Sequence, residues 1–344
     1  MSSWSFRPRE SRRERRSPAF HCHGTVGKTL RRGTSVGRGR RQGEGGQRVG
    51  RLTRRRRIVH YSSDTGPRVR EETIAAEEPL EIRLGGRVFS ITMRTPGNDF
   101  DLVAGFLVSE GVIGGPDELS SMRFCAGEDE DGRQTFNVVE AGLGEGAIIP
   151  DPSLDRHVFT SSSCGICGTA SIDAVAKTSR FTVEPDSGRI GVGTLLGLST
   201  TLRSSQELFG KTGGVHAAGL FDTDGNLLCL REDVGRHNAV DKVVGWALRE
   251  GRLPLRDTVL QVSGRASFEL VQKAYLAGIP VLCAVSAPSS LAVELAERAG
   301  LTVAAFARGS SVNLYTHPDR IDTDDSVDQQ APAHPAVAAP NNRK

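Results

Sequence analysis

From about residue 214 onward, short apolar runs alternate with longer amphipathic stretches. The apolar runs have the length of β-strands and lie at 215–221, 227–230, 258–262, 281–285 and 302–307. The first two are joined by a turn sequence, and the later ones are separated by segments with apolar residues at helical spacing, at 236–249 and around Phe268 and Leu291. This alternation predicts an α/β fold with a largely parallel sheet covered by helices.

The part of the chain before this series predicts a smaller α+β unit. Residues 80–92 place two alternating apolar and polar runs around a Gly-Gly pair, which predicts a β-hairpin. Asn98 is positioned to cap a helix that ends near residue 110. Another strand is expected around 136–139, after a loop at 125–135 that is rich in Gly, Asp and Glu.

The charge of the chain is divided sharply between its first segment and the rest. Residues 1–57 carry 18 Lys/Arg and 3 Asp/Glu, a net charge of +15, whereas residues 58–344 carry 26 and 38, a net charge of −12. Because the first segment has no hydrophobic periodicity, we expect it to be disordered, with order beginning near residue 70. A nucleic-acid-binding arm would interleave aromatic residues with the basic ones, and their scarcity speaks against nucleic acid as a partner.

Hydropathy and cysteine content indicate where the protein is located and which cysteines are reactive. No run approaches the roughly 20 apolar residues of a membrane span, and no secretory signal follows the basic segment, so a cytoplasmic location is expected. The six cysteines are too sparse for a disulfide scaffold. Cys229 and Cys283 lie in apolar runs and are interpreted as core residues. Only Cys164 and Cys167 have a spacing that indicates chemistry.

The Cys-Gly-Ile-Cys motif lies in a Ser- and Gly-rich stretch that predicts a loop. By spacing alone the pair suits three chemistries: half of a zinc site, a dithiol redox pair, or a nucleophile with a resolving partner that transfers sulfur. A zinc site would have to recruit further ligands from Cys125, His157 and His216, since no second Cys-x-x-Cys is present. A redox pair would be expected after an apolar strand, which is absent here.

The turns that follow the predicted strands are rich in small, hydroxyl and arginine residues. They contain Glu-Asp-Val-Gly-Arg-His-Asn at 232–238, Ser-Gly-Arg-Ala-Ser at 263–267, Ser-Ala-Pro-Ser-Ser at 286–290 and Phe-Ala-Arg-Gly-Ser-Ser at 306–311. Such turns meet at one edge of the sheet, where helix N-termini and arginines favour a phosphate-bearing ligand. The candidate ligand contacts in the first two turns are Arg236, His237, Gly264 and Arg265.

Other polar residues near this edge have two interpretations. His216 and His237 are interpreted either as acid/base or ligand groups or as structural histidines. Asp233 and Asp241 are interpreted as helix caps or helix-surface residues.

Four motifs in one order resemble the FdhD family of formate dehydrogenase accessory proteins. They are Ser-Ser-Cys-Gly-Ile-Cys-Gly, Gly-Gly-Val-His-Ala-Ala-Gly-Leu-Phe, Glu-Asp-Val-Gly-Arg-His-Asn-Ala-Val-Asp-Lys and Val-Ser-Gly-Arg-Ala-Ser-Phe-Glu-Leu-Val-Gln-Lys. The resemblance covers about 58–321 and neither terminal segment. It implies a sulfur carrier between a cysteine desulfurase and the molybdenum bis(molybdopterin guanine dinucleotide) cofactor of formate dehydrogenase.

The resemblance also implies a fold and a set of site residues. The C-terminal domain is expected to be a three-layer β/α domain similar to the cytidine-deaminase fold. Cys164 is expected to carry the sulfur as a persulfide, with Cys167 as its partner. The segment expected to bind the guanine dinucleotide cofactor comprises Phe306, Ala307, Arg308, Gly309, Ser310 and Ser311. The cofactor is then a bound substrate, and no resident metal is expected.

The expected organisation has five segments. They are a basic disordered extension (1–57), an α+β N-terminal domain (58–160), a mobile loop with the cysteine pair (161–170), an α/β cofactor-binding domain (171–321) and a disordered tail (322–344). The competing functional hypothesis is a non-catalytic cofactor chaperone with a structural cysteine or zinc site. The sequence leaves open whether the chain forms a homodimer.

Overall fold

The computed structural model describes residues 52–125, 136–148, 179–185 and 187–323. The strands are β1 (Thr53–Ser62), β2 (Gly66–Ala75), β3 (Glu78–Leu84), β4 (Arg87–Arg94), β5 (Leu119–Phe124), β6 (Val138–Leu143), β7 (Ile190–Gly191), β8 (His216–Asp222), β9 (Leu227–Asp233), β10 (Thr258–Val262), β11 (Val281–Ala284), β12 (Thr302–Arg308), β13 (Ser311–Leu314) and β14 (Ile321–Asp322). The helices are α1 (Asp99–Ser109), α2 (Val192–Ser205), α3 (Glu207–Thr212), α4 (Arg236–Arg249), α5 (Phe268–Leu276) and α6 (Ser290–Ala299).

The larger sheet has six strands in the order β13-β12-β11-β10-β8-β9. The predicted α/β fold is confirmed, but the expectation of a largely parallel sheet was wrong. Only β10, β11 and β12 run parallel to one another, and β8, β9 and β13 are antiparallel to their neighbours. The reason lies in the short connections of the β8–β9 and β12–β13 hairpins, because turns of this length join only antiparallel strands.

Helices cover both faces of this sheet and make three layers. Leu260 and Val262 of β10 point toward α4, α5 and α6 and belong to the main apolar core. Val259 points to the other face of the sheet, where it packs with Leu195 and Leu198 of α2. Since successive residues of a strand face opposite sides, the apolar run of β10 is explained by burial on both faces.

The smaller sheet has four strands in the order β4-β3-β6-β5. The predicted hairpin at 80–92 is confirmed as β3 and β4, with Leu84 opposite Arg87. Strand β6 begins at Val138, two residues later than expected, because Phe136 has a left-handed backbone (φ 51°) that no strand accommodates. The loop expected at 125–135 lies outside the described residues except for Cys125.

Helix α1 forms where it was predicted and joins the two parts of the molecule. Asn98 precedes it but has a left-handed backbone and makes no side-chain hydrogen bond to the helix, so the predicted side-chain cap was wrong. The helix packs closely on α4 through two glycines. A Cβ on Gly105 would lie 1.8 Å from the Asp241 carbonyl oxygen, and one on Gly245 would lie 1.8 Å from the Asp101 carbonyl oxygen.

The two expected domains therefore share one apolar core, which contains Leu102 of α1 together with Val240 of α4. A partly buried ion pair reinforces the contact, with Arg231 Nη2 2.8 Å from Asp101 Oδ2. The boundaries expected at residues 160 and 171 lie outside the described residues, and the division into two domains stays a prediction.

Both terminal boundaries were placed wrongly. Residues 53–57 were expected to be disordered, but they form the first half of β1 and pair with residues 71–75 of β2. Order therefore begins well before residue 70. The prediction failed because this two-stranded ribbon is held by backbone hydrogen bonds and exposes both faces, so it carries no apolar periodicity. At the other end, Asp322 belongs to β14, which pairs with β7, rather than to the tail.

The helices in the described part of the chain include none that is long and apolar enough to cross a membrane.

Candidate functional site

A cavity of about 690 Å³ opens at the edge of the six-stranded sheet where the predicted turns meet. The carboxyl ends of β9, β10, β11 and β12 and the amino end of β8 lie at this edge, since His216 is opposite Asp233 and Val262 pairs with both Ala218 and Ala284. The volume is that of a site for a small molecule or cofactor. The prediction that these turns converge is thus confirmed by the topology.

One wall of the cavity comes from α2 and α3. The Glu232 carboxylate accepts hydrogen bonds of 2.8 Å from the backbone N–H groups of Leu208 and Phe209, and so caps α3 and fixes it against β9. The Arg203 guanidinium lies 4.0 Å from the centre of the Phe209 ring. Both side chains line the cavity and form a flat cationic and aromatic surface, which suits stacking against a planar ring of a ligand.

Gln206 stands between α2 and α3 and also lines the cavity. Its side chain is only 7% exposed, and its amide Nε2 has no hydrogen-bond partner among the described residues. Buried polar atoms are almost always paired, so an unpaired amide that faces a cavity indicates a ligand acceptor.

His216 begins β8 at the floor of the site. Its Nδ1 lies 3.4 Å from the Ser263 hydroxyl, which in turn accepts a 2.9 Å hydrogen bond from the backbone N–H of Ala217. Burial, together with the positive charges of Arg236 and His237, lowers the pKa of His216. The ring is therefore neutral at pH 7 and offers a hydrogen bond rather than a charge.

Three of the predicted ligand residues lie together beside His216. A Cβ on Gly264 would be 3.7 Å from His216 Nδ1 and 3.9 Å from Arg236 Cδ. The Arg236 Nε is buried and has no hydrogen-bond partner among the described residues. His237 Nε2 lies 2.5 Å from Glu269 Oε2, and the hydrogen bond from His237 lowers the pKa of the Glu269 carboxyl.

The N-termini of α4 and α5 add to the positive character of this edge. Gly235 at the N-cap of α4 has no side chain to cap the first-turn N–H groups. Ser267 at the N-cap of α5 makes no capping bond, and its buried hydroxyl lacks a partner within the described ranges. Arg265, between these helices, is exposed to solvent and does not line the cavity.

The segment at 306–311 is a tight β12–β13 hairpin with a bulge between Ala305 and Arg308. Phe306 (φ 54°) and Gly309 (φ 61°) both have left-handed backbones. Arg308 and Gly309 line the cavity. The other predicted contacts of this segment do not line it: the Ala307 side chain is in the core below the sheet, and Ser310 and Ser311 are exposed.

The two aspartates near this edge are buried, so the helix-surface interpretation was wrong. Asp233 pairs with Lys242 at 2.7 Å, and its carboxylate also accepts hydrogen bonds from the N–H groups of Gly235 and Thr95. Asp241 pairs with Lys273 at 2.8 Å through each carboxylate oxygen. The first pair holds the turn that presents Arg236.

The charged side chains that line the cavity are all positive. Within the described residues, Arg203 and Arg308 line it, and no Asp or Glu does. Sequence reasoning found the edge but missed Arg203, Gln206 and Phe209. These residues lie on or between two helices that precede the alternating series of strands and helices. The one sequence feature that points to them is Glu232, whose carboxylate caps α3 rather than the helix that follows its own motif.

Cys164, Cys167 and His157 lie outside the described residues. Cys125 is buried at the end of β5, in the four-stranded sheet, whereas His216 lies at the edge of the other sheet. Burial raises the pKa of the Cys229 and Cys283 thiols to about 12, so both are unreactive core residues, as predicted. Within the described ranges, no group of three or more His, Cys, Asp or Glu side chains could hold a metal ion.

Fold and site together define an α/β protein with a cofactor-sized, positively charged cavity at the carboxyl ends of its strands. Residues 75–322 match the model of the FdhD/NarQ family. The chain is 54% identical over 270 residues to the sulfur carrier protein FdhD of Mycolicibacterium paratuberculosis, covering 78% of this chain and 99% of that protein. It is 56% identical over 274 residues to the sulfur carrier protein FdhD of Streptomyces avermitilis, covering 79% of this chain and 97% of that protein.

A solved structure agrees with the family match. The crystal structure of a protein assigned as a formate dehydrogenase accessory protein, from Desulfotalea psychrophila, superposes with a TM-score of 0.61 at 26% identity. The match covers 78% of this chain and 99% of that one. The chain belongs to the FdhD/NarQ family, which confirms the resemblance seen in its motifs.

Proposed function

We propose that this chain is a sulfur carrier that serves formate dehydrogenase from the cytoplasm. It takes persulfide sulfur from a cysteine desulfurase onto Cys164 and transfers it to the molybdenum bis(molybdopterin guanine dinucleotide) cofactor. The names of the relatives support the sulfur-carrier role, and the name of the Desulfotalea protein supports the link to formate dehydrogenase. The observation that carries the proposal for this chain is the cavity at the strand ends.

The cavity suits a large ligand that combines a planar base with phosphates. Its Arg203–Phe209 wall offers a stacking surface, and the Gln206 amide offers a buried donor. Arg308 also lines the cavity, and the α4 N-terminus and the unpaired Nε of Arg236, at the same edge of the sheet, offer further donors for phosphate. Residues 76–323 carry 22 Lys/Arg and 32 Asp/Glu, so an anionic ligand needs this local positive character to bind.

The transfer chemistry balances with the two cysteines alone. The Cys164 thiolate attacks the terminal sulfur of the donor persulfide, forms a new S–S bond and releases the donor as a thiolate. The Cys167 thiolate then attacks the Cys164 sulfur of this persulfide. A Cys164–Cys167 disulfide forms, and the outer sulfur leaves as sulfide to become a ligand of molybdenum. The dithiol is oxidised by two electrons, and the transferred sulfur is reduced by two.

The test separates the sulfur step from the binding step. Cys164→Ala is expected to abolish sulfuration of the cofactor while leaving cofactor binding largely intact. Arg308→Ala is expected to weaken cofactor binding, measured by retention of molybdenum on the purified protein, while leaving persulfide formation unchanged. Arg87→Ala, an exposed arginine on β4 in the other sheet, is the matched control and should change neither.

If Cys164→Ala lost cofactor binding to the same extent as cofactor sulfuration, the assignment of sulfur transfer to Cys164 and of binding to the cavity would be contradicted. Intact cofactor binding in Arg308→Ala, combined with intact binding in Gln206→Leu, would remove the cavity from the proposal. A protein that binds the cofactor but never accepts sulfur would instead be a cofactor chaperone.

A further inference from the structure

His216 lies where the cavity meets the positive edge of the six-stranded sheet. The residue lines the cavity together with Ser263. A Cβ on Gly264 would lie 3.7 Å from His216 Nδ1 and 3.9 Å from Arg236 Cδ, so the imidazole ring and the Arg236 side chain flank the same glycine. A ligand phosphate that accepts a hydrogen bond from Arg236 would therefore lie beside the His216 ring.

The groups around His216 keep its ring neutral. Burial lowers the pKa of His216 most strongly, and the positive charges of Arg236 and His237, in the first turn of α4, lower it further. Asp233, at the end of β9, raises the pKa, but this carboxylate is already paired with Lys242 at 2.7 Å. Part of the cause is thus unbalanced positive charge, and an added anion acts directly against that part.

The other charged groups at this edge do not supply such an anion. Arg203 and Arg308 line the cavity, and within the described residues no Asp or Glu does. The Glu269 carboxylate lies against His237. The Arg236 Nε is buried and has no hydrogen-bond partner among the described residues. A buried donor of this kind indicates that a ligand supplies the acceptor, and phosphate suits a guanidinium donor.

The surroundings of His216 accommodate the protonated ring as well as the neutral one. Nδ1 lies 3.4 Å from the Ser263 hydroxyl, and this is the one hydrogen bond of the ring within the described residues. The Ser263 oxygen accepts a 2.9 Å hydrogen bond from the Ala217 N–H and has a second lone pair for an Nδ1–H donor. In the protonated ring, Nδ1–H can therefore donate to Ser263 while Nε2–H donates to a ligand phosphate.

We propose that a phosphate-bearing ligand binds in this cavity together with one proton, which His216 takes from the solvent. This coupling rests on the proposed function, in which the cavity holds the cofactor phosphates. An opposite charge within about 4–6 Å moves a pKa by about 1–3 toward the charged form. A diphosphate carries more than one negative charge, so it outweighs the effect of Arg236 and His237. Because such coupling is reciprocal, the ligand binds more tightly as pH falls.

Calorimetric titration of the full chain with guanosine diphosphate tests this coupling. Repeating the titration in buffers with different enthalpies of ionisation counts the protons taken up on binding. At pH 7 we expect the native protein to take up about half a proton or more per ligand beyond the uptake of His216→Gln. Its dissociation constant should fall about tenfold more than that of the variant between pH 8 and pH 6. The ligand phosphate titrates in the same way with both proteins, so the difference between them isolates His216.

His60→Gln is the matched control, because His60 is an exposed histidine on β1. It should take up the same number of protons as the native protein, and circular dichroism should show that both variants fold. NMR of the imidazole nitrogens in the native protein gives a measurement that needs no variant. It should show a neutral His216 ring at pH 7 that becomes charged when guanosine diphosphate is added.

Two kinds of negative result have different consequences. A His216 ring that stays neutral in the complex, or equal proton uptake by the native protein and His216→Gln, would overturn the coupling and leave the cavity as the cofactor site. Failure of the native protein to bind guanosine diphosphate at any pH would instead remove the cavity from the proposed function, and the coupling with it.

Discussion

The buried Asp233–Lys242 pair supports the strongest stability prediction, for the change Lys242→Met. Asp233 is 0% exposed and Lys242 is 1% exposed, and the lysine Nζ also donates a 2.9 Å hydrogen bond to the Thr95 carbonyl. Removing the lysine leaves a buried carboxylate with only neutral hydrogen-bond donors around it. Loss of one partner of such a pair costs about 3–5 kcal/mol, so the free energy of unfolding should fall by about that amount.

Urea unfolding followed by circular dichroism measures this loss. Lys211→Met is the control, because Lys211 is exposed and pairs at 3.8 Å with the exposed Glu207, so its loss should cost about 0–1 kcal/mol. The double change Lys242→Met with Asp233→Asn removes the uncompensated charge and should be more stable than Lys242→Met alone. A loss below about 1 kcal/mol in Lys242→Met would refute the reasoning that this pair is dry and tightly coupled.

Three further predictions concern the site and the thiols. The native protein should lose stability as pH falls below about 6.5, because His216 binds a proton there in the unfolded chain but, with its lowered pKa, not in the folded one. His216→Gln should reduce this loss, and urea unfolding at several pH values measures it. Cys229 and Cys283 should resist iodoacetamide at pH 8 in the native protein, as peptide mapping will show, since their pKa values are about 12. Gln206→Leu should leave the free energy of unfolding unchanged. It should raise the dissociation constant of guanosine diphosphate about tenfold, as calorimetry will measure, because one buried hydrogen bond to the ligand is lost.

The six-stranded sheet was predictable from the sequence because most of its elements carry their own signals. Strand β11 and residues 303–307 of β12 are continuous apolar runs, and α4 carries a clear apolar stripe. The direction of the strands was less accessible. Whether β8 lies next to β10 depends on long-range packing, which a local pattern does not encode.

The candidate site was predictable where one motif contains both the turn and the ligand residue, as with Arg236 and Gly264. It was not predictable where a residue comes from a separate element, as with Gln206. Burial was also hidden from the sequence. Asp241 stands at a position that resembles a helix surface, yet α1 and α5 cover it with Ser109 and Lys273. Arg265 and Ser310 belong to the predicted motifs but project into solvent.

The most direct test of the proposed function is the mass of the protein after incubation with a cysteine desulfurase and cysteine. The account predicts a gain of about 32 Da, the mass of one sulfur atom, on the peptide that holds Cys164 and Cys167, reversed by reductant. The same treatment of Cys164→Ala should give no gain. No adduct on the native protein, together with zinc bound to the cysteine pair, would contradict the account and favour a structural metal site on a cofactor-binding chaperone.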